Sequence, residues 1–260
     1  MASIEKQILE LCSSGNEVSL RPLLDSYEMP LPPYFINQML AAATASKHVG
    51  LVKYLLSRYP DNPLSPTAIC AATDVASIPI FQIFYEKDPS IVHMSFEREG
   101  TPLALALFAG RPLDFISYLL ESCKADPNQA TSIIPLPLAG AASGYGGSTE
   151  AVALLLKHGA KVQHSGALCM ASLSGYTEVA KLLFEMGATP DTDARNDGIP
   201  DITGTGSALY VAAHEGHLGM VELLLKHGAD RDARSREGKT ARDVAGEKGY
   251  TQIVEALDAK

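Results

Sequence analysis

The phrase LLLKHGA stands at residues 154–160 and again at 223–229, and a drifted copy, LLFEMGA, lies between them at 182–188. Three copies of so long a phrase mean that the chain is assembled from stacked repeats of one unit. A unit of this kind cannot hide its apolar face alone. Each copy must cover its neighbour, so the fold is an array in which the core grows unit by unit.

The unit reads physically in residues 207–230, SALYVAAHEGHLGMVELLLKHGAD. Leu209, Val211 and the pair Ala212–Ala213 form a short helix whose small side chains let another helix approach. Gly216 stops it, because a left-handed terminal residue is cheapest as glycine. Val221, Leu224 and Leu225 recur at helical spacing and build a second amphipathic helix. Lys226 and His227 fall in its last turn, where positive charge suits the macrodipole, and Gly228 ends it. The pattern is helix, tight turn, helix, glycine stop and polar loop. It recurs at 166–188, 138–160 and 101–128, and more faintly at 39–56 and 66–85. Residues 4–24 and 238–257 read as end units, the latter with the charged outer face that a unit lacking a neighbour needs.

The residues resemble the ankyrin repeat family, whose pattern is roughly G-x-TPLHxAA-xx-GHxxVVxLLLxxGADxN. The match rests on Thr101–Pro102–Leu103, Ala212–Ala213, Gly216–His217, LLLKHGAD at 223–230, KADPN at 124–128 and GKTARDVA at 238–245. Where the family has TPLH, three units here have SALY, GALC and LPLA. The resemblance implies an all-α ankyrin-repeat solenoid of about seven to eight helix-turn-helix units with finger loops and capping ends. We expect a single array over 1–260: an N-terminal cap-like unit at 1–32, internal repeats at 33–237 that are irregular at 143–206, and a C-terminal cap at 238–260. The family's common role is to hold protein partners in a groove lined by inner helices and fingers, and it implies no enzymatic activity.

Within that frame the residues following each alanine pair face the groove. The expected partner-binding residues are Phe108, Tyr145, Leu173, Tyr210, His214 and Glu215. Phe108, Tyr145 and Leu173 fall on three consecutive units and would form an apolar strip, and aromatic side chains dominate binding energy at such strips. The fingers contribute Phe96, Arg98 and His164. The long finger at 189–206 adds Asp191, Asp193 and Asp197 as contacts for a basic partner, since long loops often carry binding. These carboxylates do not match a calcium loop, because Arg195 and Asn196 occupy positions that need an oxygen ligand and a glycine. His214 and His217 have metal-ligand spacing, but Gly216 interrupts the helix between them and no third ligand is evident. The sequence predicts no cofactor and no metal. The alternative reading is a small-molecule or catalytic pocket in the irregular middle, lined by Tyr145, His164, Leu173, Tyr210 and His214, with His164 as general base.

No nucleophile elbow, phosphate-cradling loop or HExxH motif is present, so no catalytic residue is named. A net charge of −9 repels phosphate backbones and argues against nucleic acid. Cys12, Cys70, Cys123 and Cys169 lie far apart in apolar or small-residue contexts and read as buried thiols. The first residues are charged by Glu5, and no run approaches the ~20 apolar residues of a membrane span. These features predict a soluble protein of the cytoplasm, with the nucleus as a second reducing compartment. A start at Met1 and an end soon after a cap-like unit predict a stand-alone protein.

Overall fold

The computed structural model describes residues 2–27, 30–96, 100–129, 136–190 and 207–259. Among them are sixteen α-helices and one short 3-10 helix, Pro89–His93, and no helix is long and apolar enough to cross a membrane. The helices come in eight successive pairs: α1 (Ala2–Ser14) and α2 (Glu17–Asp25), α3 (Pro33–Ala45) and α4 (Val49–Arg58), α5 (Pro66–Asp74) and α6 (Ile78–Lys87), α7 (Pro102–Phe108) and α8 (Leu113–Glu121). Then follow α9 (Pro137–Gly144) and α10 (Glu150–Lys157), α11 (Ala167–Ser174) and α12 (Thr177–Glu185), α13 (Ala208–Glu215) and α14 (Leu218–Lys226), α15 (Ala241–Lys248) and α16 (Thr251–Asp258). The chain divides into two compact units. One holds Met1–Phe96 and Asp114–Ala125, the other Glu97–Leu113 and Asp126–Lys260.

The starts of the first helices of the pairs are chemically marked. Ser65, Thr101, Ser207 and Thr240 each accept the backbone N–H three residues on. This satisfies one of the four orphan donors of a helix start and is worth about 1 kcal/mol. Ser207 opens SALY and so does the capping work of the family's threonine. Pro33, Pro66, Pro102 and Pro137 sit at the first helical turn, where the missing N–H costs nothing. At GALC the N-cap Gly166 has no hydroxyl, and Ser165 accepts from Ala167 N instead, at 3.2 Å.

In the first unit α1 packs on α3, α3 on α5 and α4 on α6. Phe81 of α6 meets Phe115 of α8 edge to face at 5.6 Å and Tyr118 at 6.4 Å. Such pairs add to the burial of the rings themselves. In the second unit α7, α9, α11, α13 and α15 pack in succession, while α12 packs on α14 and α14 on α16. Alanines line that seam: Ala106, Ala141, Ala142, Ala171, Ala212, Ala213 and Ala245 are buried. The leucines of the repeated phrase divide by helical geometry. The central one, Leu155, Leu183 or Leu224, is fully buried, and its flanking neighbours are half-exposed.

Within the second unit the fingers tie successive helix pairs together. Asn128 donates to the Gly159 carbonyl at 2.9 Å and accepts from Lys161 N at 2.8 Å, and Gln163 donates to the Gly187 carbonyl at 2.5 Å. Arg231 donates to the carbonyls of Leu257 and Ala259, closing the end of α16. Cys12, Cys123 and Cys169 are buried and Cys70 is half-buried, all as thiols rather than disulfides. Burial pushes the Cys12 thiol up to about 12, which keeps it neutral and inert.

One polar side chain sits badly. Ser172 of α11 is fully buried, and its hydroxyl has no hydrogen-bond partner among the described residues. An unsatisfied buried hydroxyl costs about 1–3 kcal/mol. The corresponding residue of α13 is Ala213, which packs without difficulty. Ser172→Ala is therefore expected to raise stability by about 1 kcal/mol in urea unfolding. A loss of stability would show that the hydroxyl is satisfied.

Candidate interaction surface

Leu173 of α11 and His214 and Glu215 of α13 immediately follow a buried small pair, Ala171–Ser172 and Ala212–Ala213. The alternation is helical. The pair faces the neighbouring helices, and the next residues turn outward. Leu173 and His214 are half-exposed and Glu215 is exposed. His214 Nδ1 meets Glu215 Oε1 at 2.7 Å. On α15 the corresponding residues are Glu247 and Lys248, both exposed. Lys239 bridges Glu247 at 2.8 Å and Glu237 at 3.7 Å, and these two partners raise its pKa, the Glu247 bond most. The inner-helix face therefore grades from aliphatic at Leu173 to charged at Glu215 and Glu247.

Of four other expected contacts, Phe108 and Tyr145 are half-buried and Tyr210 and Phe96 are buried, each for a packing reason. Phe108 is half-buried, its ring seated over Gly140 of α9: a Cβ there would lie 2.9 Å from Phe108 Cδ2. Tyr145 is half-buried. Its hydroxyl donates to the Arg111 carbonyl at 2.7 Å, and burial pushes its pKa up to about 12, so it remains a donor. Tyr210 is buried, at 5% exposure. It sits in the first turn of α13, its N–H reaches Ser207 Oγ, and its ring leans beside that of His214 one turn on. Phe96 is 6% exposed and is core rather than finger tip, as expected of a large ring that gains from leaving water. Of the apolar strip expected from Phe108, Tyr145 and Leu173, all three residues are half-buried, with the Phe108 ring against Gly140 and the Tyr145 hydroxyl tied to Arg111.

Among the fingers, His164 is exposed in a left-handed turn, with φ 57°. Arg98, Asp191, Asp193 and Asp197 lie outside the described residues. His217 is occupied, since its Nε2 donates to the Leu173 carbonyl at 3.0 Å. Among the described residues no group of three or more His, Cys, Asp or Glu is placed to hold a metal ion.

Sequence reading missed a regular device at the turns. His48, Tyr176, His217 and Tyr250 each lie against the turn glycine of the preceding pair: Gly15, Gly147, Gly175 and Gly216. The signal was present. Each ring directly follows the residue that ends its own inner helix, Lys47, Gly175, Gly216 or Gly249.

Helix pairs joined by tight turns, packed inner helix on inner helix, define a helical repeat protein. The comparisons support an ankyrin repeat protein. The family profile described as Ankyrin repeats (many copies) matches residues 193–245. An ankyrin repeat and KH domain-containing protein of Caenorhabditis elegans is 35% identical over 118 residues, 44% of this chain and 4% of that protein. A human ankyrin repeat and KH domain-containing protein is 36% identical over 101 residues, 37% of this chain and 4% of its own length. Alpha-latrocrustotoxin-Lt1a of Latrodectus tredecimguttatus is 25% identical over 220 residues, 82% of this chain. The chain thus spans 4% to 14% of the length of these relatives. Ankyrin repeats are, in general, protein–protein interaction modules.

Proposed function

We propose that the chain is a scaffold or adaptor that holds a protein partner on the inner-helix face of its second unit, with Leu173, His214 and Glu215 as the central contacts. The observation that carries this reading is the grouping of half-exposed Leu173 and His214 with exposed Glu215 on two packed helices, α11 and α13. An aliphatic contact flanked by carboxylates suits a segment that presents an apolar side chain beside a basic one, and the net charge of −9 favours its approach. Asp191, Asp193 and Asp197 extend the same preference for a basic partner, and His164 and Arg98 join as finger contacts. Phe108 and Tyr145 act in this reading by shaping the face rather than by inserting into the partner.

The small-molecule alternative draws less support. Tyr210 is buried and the Tyr145 hydroxyl is engaged by the Arg111 carbonyl, so two of its five lining residues are taken up in packing or hydrogen bonding. The test is affinity capture with the wild type, followed by calorimetric titration of the most enriched client against wild type and Leu173→Glu/Glu215→Lys. A loss of at least tenfold in affinity, about 1.4 kcal/mol, is expected, with an unchanged melting temperature. Equal affinity would remove these residues from the contact surface.

A further inference from the structure

Two successive helix pairs of the first unit open on the same phrase. Pro30, Leu31, Pro32 and Pro33 lead into α3, and Pro63, Leu64, Ser65 and Pro66 lead into α5. The last proline of each phrase is the first residue of its helix, where a missing N–H costs nothing. That accounts for Pro33 and Pro66. It does not account for Pro30 and Pro63, which stand three residues earlier and outside any helix.

The backbone of both phrases is of the polyproline kind. Pro32 has φ −69° and ψ 147°, and Ser65 has φ −89° and ψ 156°, close to the left-handed helix of three residues per turn. A period of three sets the first and fourth residues on one edge and the second on another. Burial follows that period. Pro30, Pro33, Pro63 and Pro66 are exposed, whereas Leu31 is half-buried and Leu64 is buried. Tyr34, beside Pro33, is 63% exposed. The two phrases are clamped to each other by Asn37 of α3, which is 6% exposed. Its Nδ2 donates to the carbonyls of Pro33 and Pro63, both at 3.0 Å, and its Oδ1 accepts from Ser65 N at 2.9 Å. The proline edges are thus held in place before any partner arrives, and proline has little backbone freedom left to lose on binding.

We infer that these two proline edges, with Tyr34, form a docking ledge for a partner domain whose groove is lined by aromatic rings. Such grooves take preformed polyproline segments by packing rings against prolines. A second copy of this chain is not the occupant. The chain has no Trp, and among the described residues Tyr34 is the one exposed Phe or Tyr, so no aromatic groove faces outward. Stacking of helix pairs does not cover the ledge either. The pairs α1–α2 and α3–α4 stand before the two phrases, and the prolines are exposed all the same. Where the chain joins one phrase to the next it uses the Asn37 amide on backbone groups and leaves the proline rings outside. The ledge lies in the first unit and does not rest on the inner-helix face of the second.

The test is an NMR titration of two isotopically labelled probes, a WW domain and an SH3 domain, with the unlabelled 260-residue chain. Both probes present a groove of aromatic rings. At least one is expected to show saturable shifts of its groove resonances. The double variant Pro30→Ala/Pro63→Ala keeps both helix starts and the carbonyl that Asn37 holds. It should weaken that binding by at least about fivefold, because each exchange removes a ring and loosens the unbound backbone. Pro79→Ala, an exposed proline in the first turn of α6, is the control and should leave binding unchanged. Tyr34→Ala, at an exposed position, should also weaken binding, and it decides the matter if the double variant melts early. The inference is overturned if neither probe shows saturable shifts, if the ledge variants bind as the wild type does, or if Pro79→Ala weakens binding as much as they do.

Discussion

Gly144→Ala is expected to destabilise the protein by about 3 kcal/mol or more, read as a lower urea midpoint with an unchanged slope. Gly144 ends α9, and a Cβ built on it would lie 2.2 Å from the Leu107 carbonyl oxygen at the end of α7. Backbone cannot swing aside as a flexible side chain does, so one methyl group must push two packed helices apart. Helix propensity works the other way, favouring alanine by up to about 1 kcal/mol, so the measured loss would understate the clash. Gly246→Ala is the matched control. It lies inside α15 with nothing within 4 Å of its Cβ, and the same exchange there should stabilise by up to about 1 kcal/mol. Two glycine-to-alanine changes near the ends of inner helices are thus expected to differ in sign. Equal effects would contradict the close approach of α7 and α9.

Leu155→Asp is expected to cost about 4 kcal/mol or more and to leave the second unit largely unfolded at 37 °C. Leu155 is fully buried on α10, the central leucine of the first LLLKHGA. The substitution removes a well-packed side chain and places a carboxylate where no cation waits. Leu154→Asp, one residue earlier and half-exposed, should cost far less. Circular dichroism melting of the two variants separates a helical register from a merely hydrophobic segment, and equal losses would break that register.

The helix pairs were legible because two periodicities coincide in this chain. Leucines at helical spacing give the outer helix, and alanine pairs followed by a glycine give the inner helix and its stop. The central leucines and paired alanines are indeed the buried ones. The surface was less legible, for a definite reason. Sequence places Phe108, Tyr145 and Tyr210 at or beside groove positions, but whether an aromatic ring faces outward depends on what the next helix offers it. Gly140 offers Phe108 a notch, and the Arg111 carbonyl offers Tyr145 an acceptor. Neither lies within 30 residues in sequence, so no local pattern announces them. Leu173 and His214 are half-exposed and Glu215 is exposed, as the position after a buried small pair leads one to expect.

The terminal pair should be the most sensitive to acid. Asp243 accepts from Thr240 N at 2.9 Å in a capping box, and Arg242 meets Asp258 at 2.6 Å. The Thr240 N–H bond, with its hydroxyl next, holds Asp243 below the usual carboxylate range, and the Arg242 bond does the same for Asp258. A carboxylate with a depressed folded pKa contributes stability above its unfolded value, and that stability is lost as pH falls through the folded value. Amide exchange in α15 and α16 is therefore expected to accelerate below about pH 4, with α9 and α11 still protected. Uniform acceleration throughout the second unit would deny these two carboxylates a special role.

The covering of glycine turns by rings also sets rules for recombination. Removing residues 176–216 in frame would bring His217 to the place that Tyr176 now holds, above Gly147, so the junction would still be complementary. A crossover in another frame would set a ring against a Cβ or leave a glycine bare. Gene duplication and loss in a lineage carrying this pattern would therefore tolerate whole-turn exchanges, and the number of pairs could drift while the joints between them stayed alike.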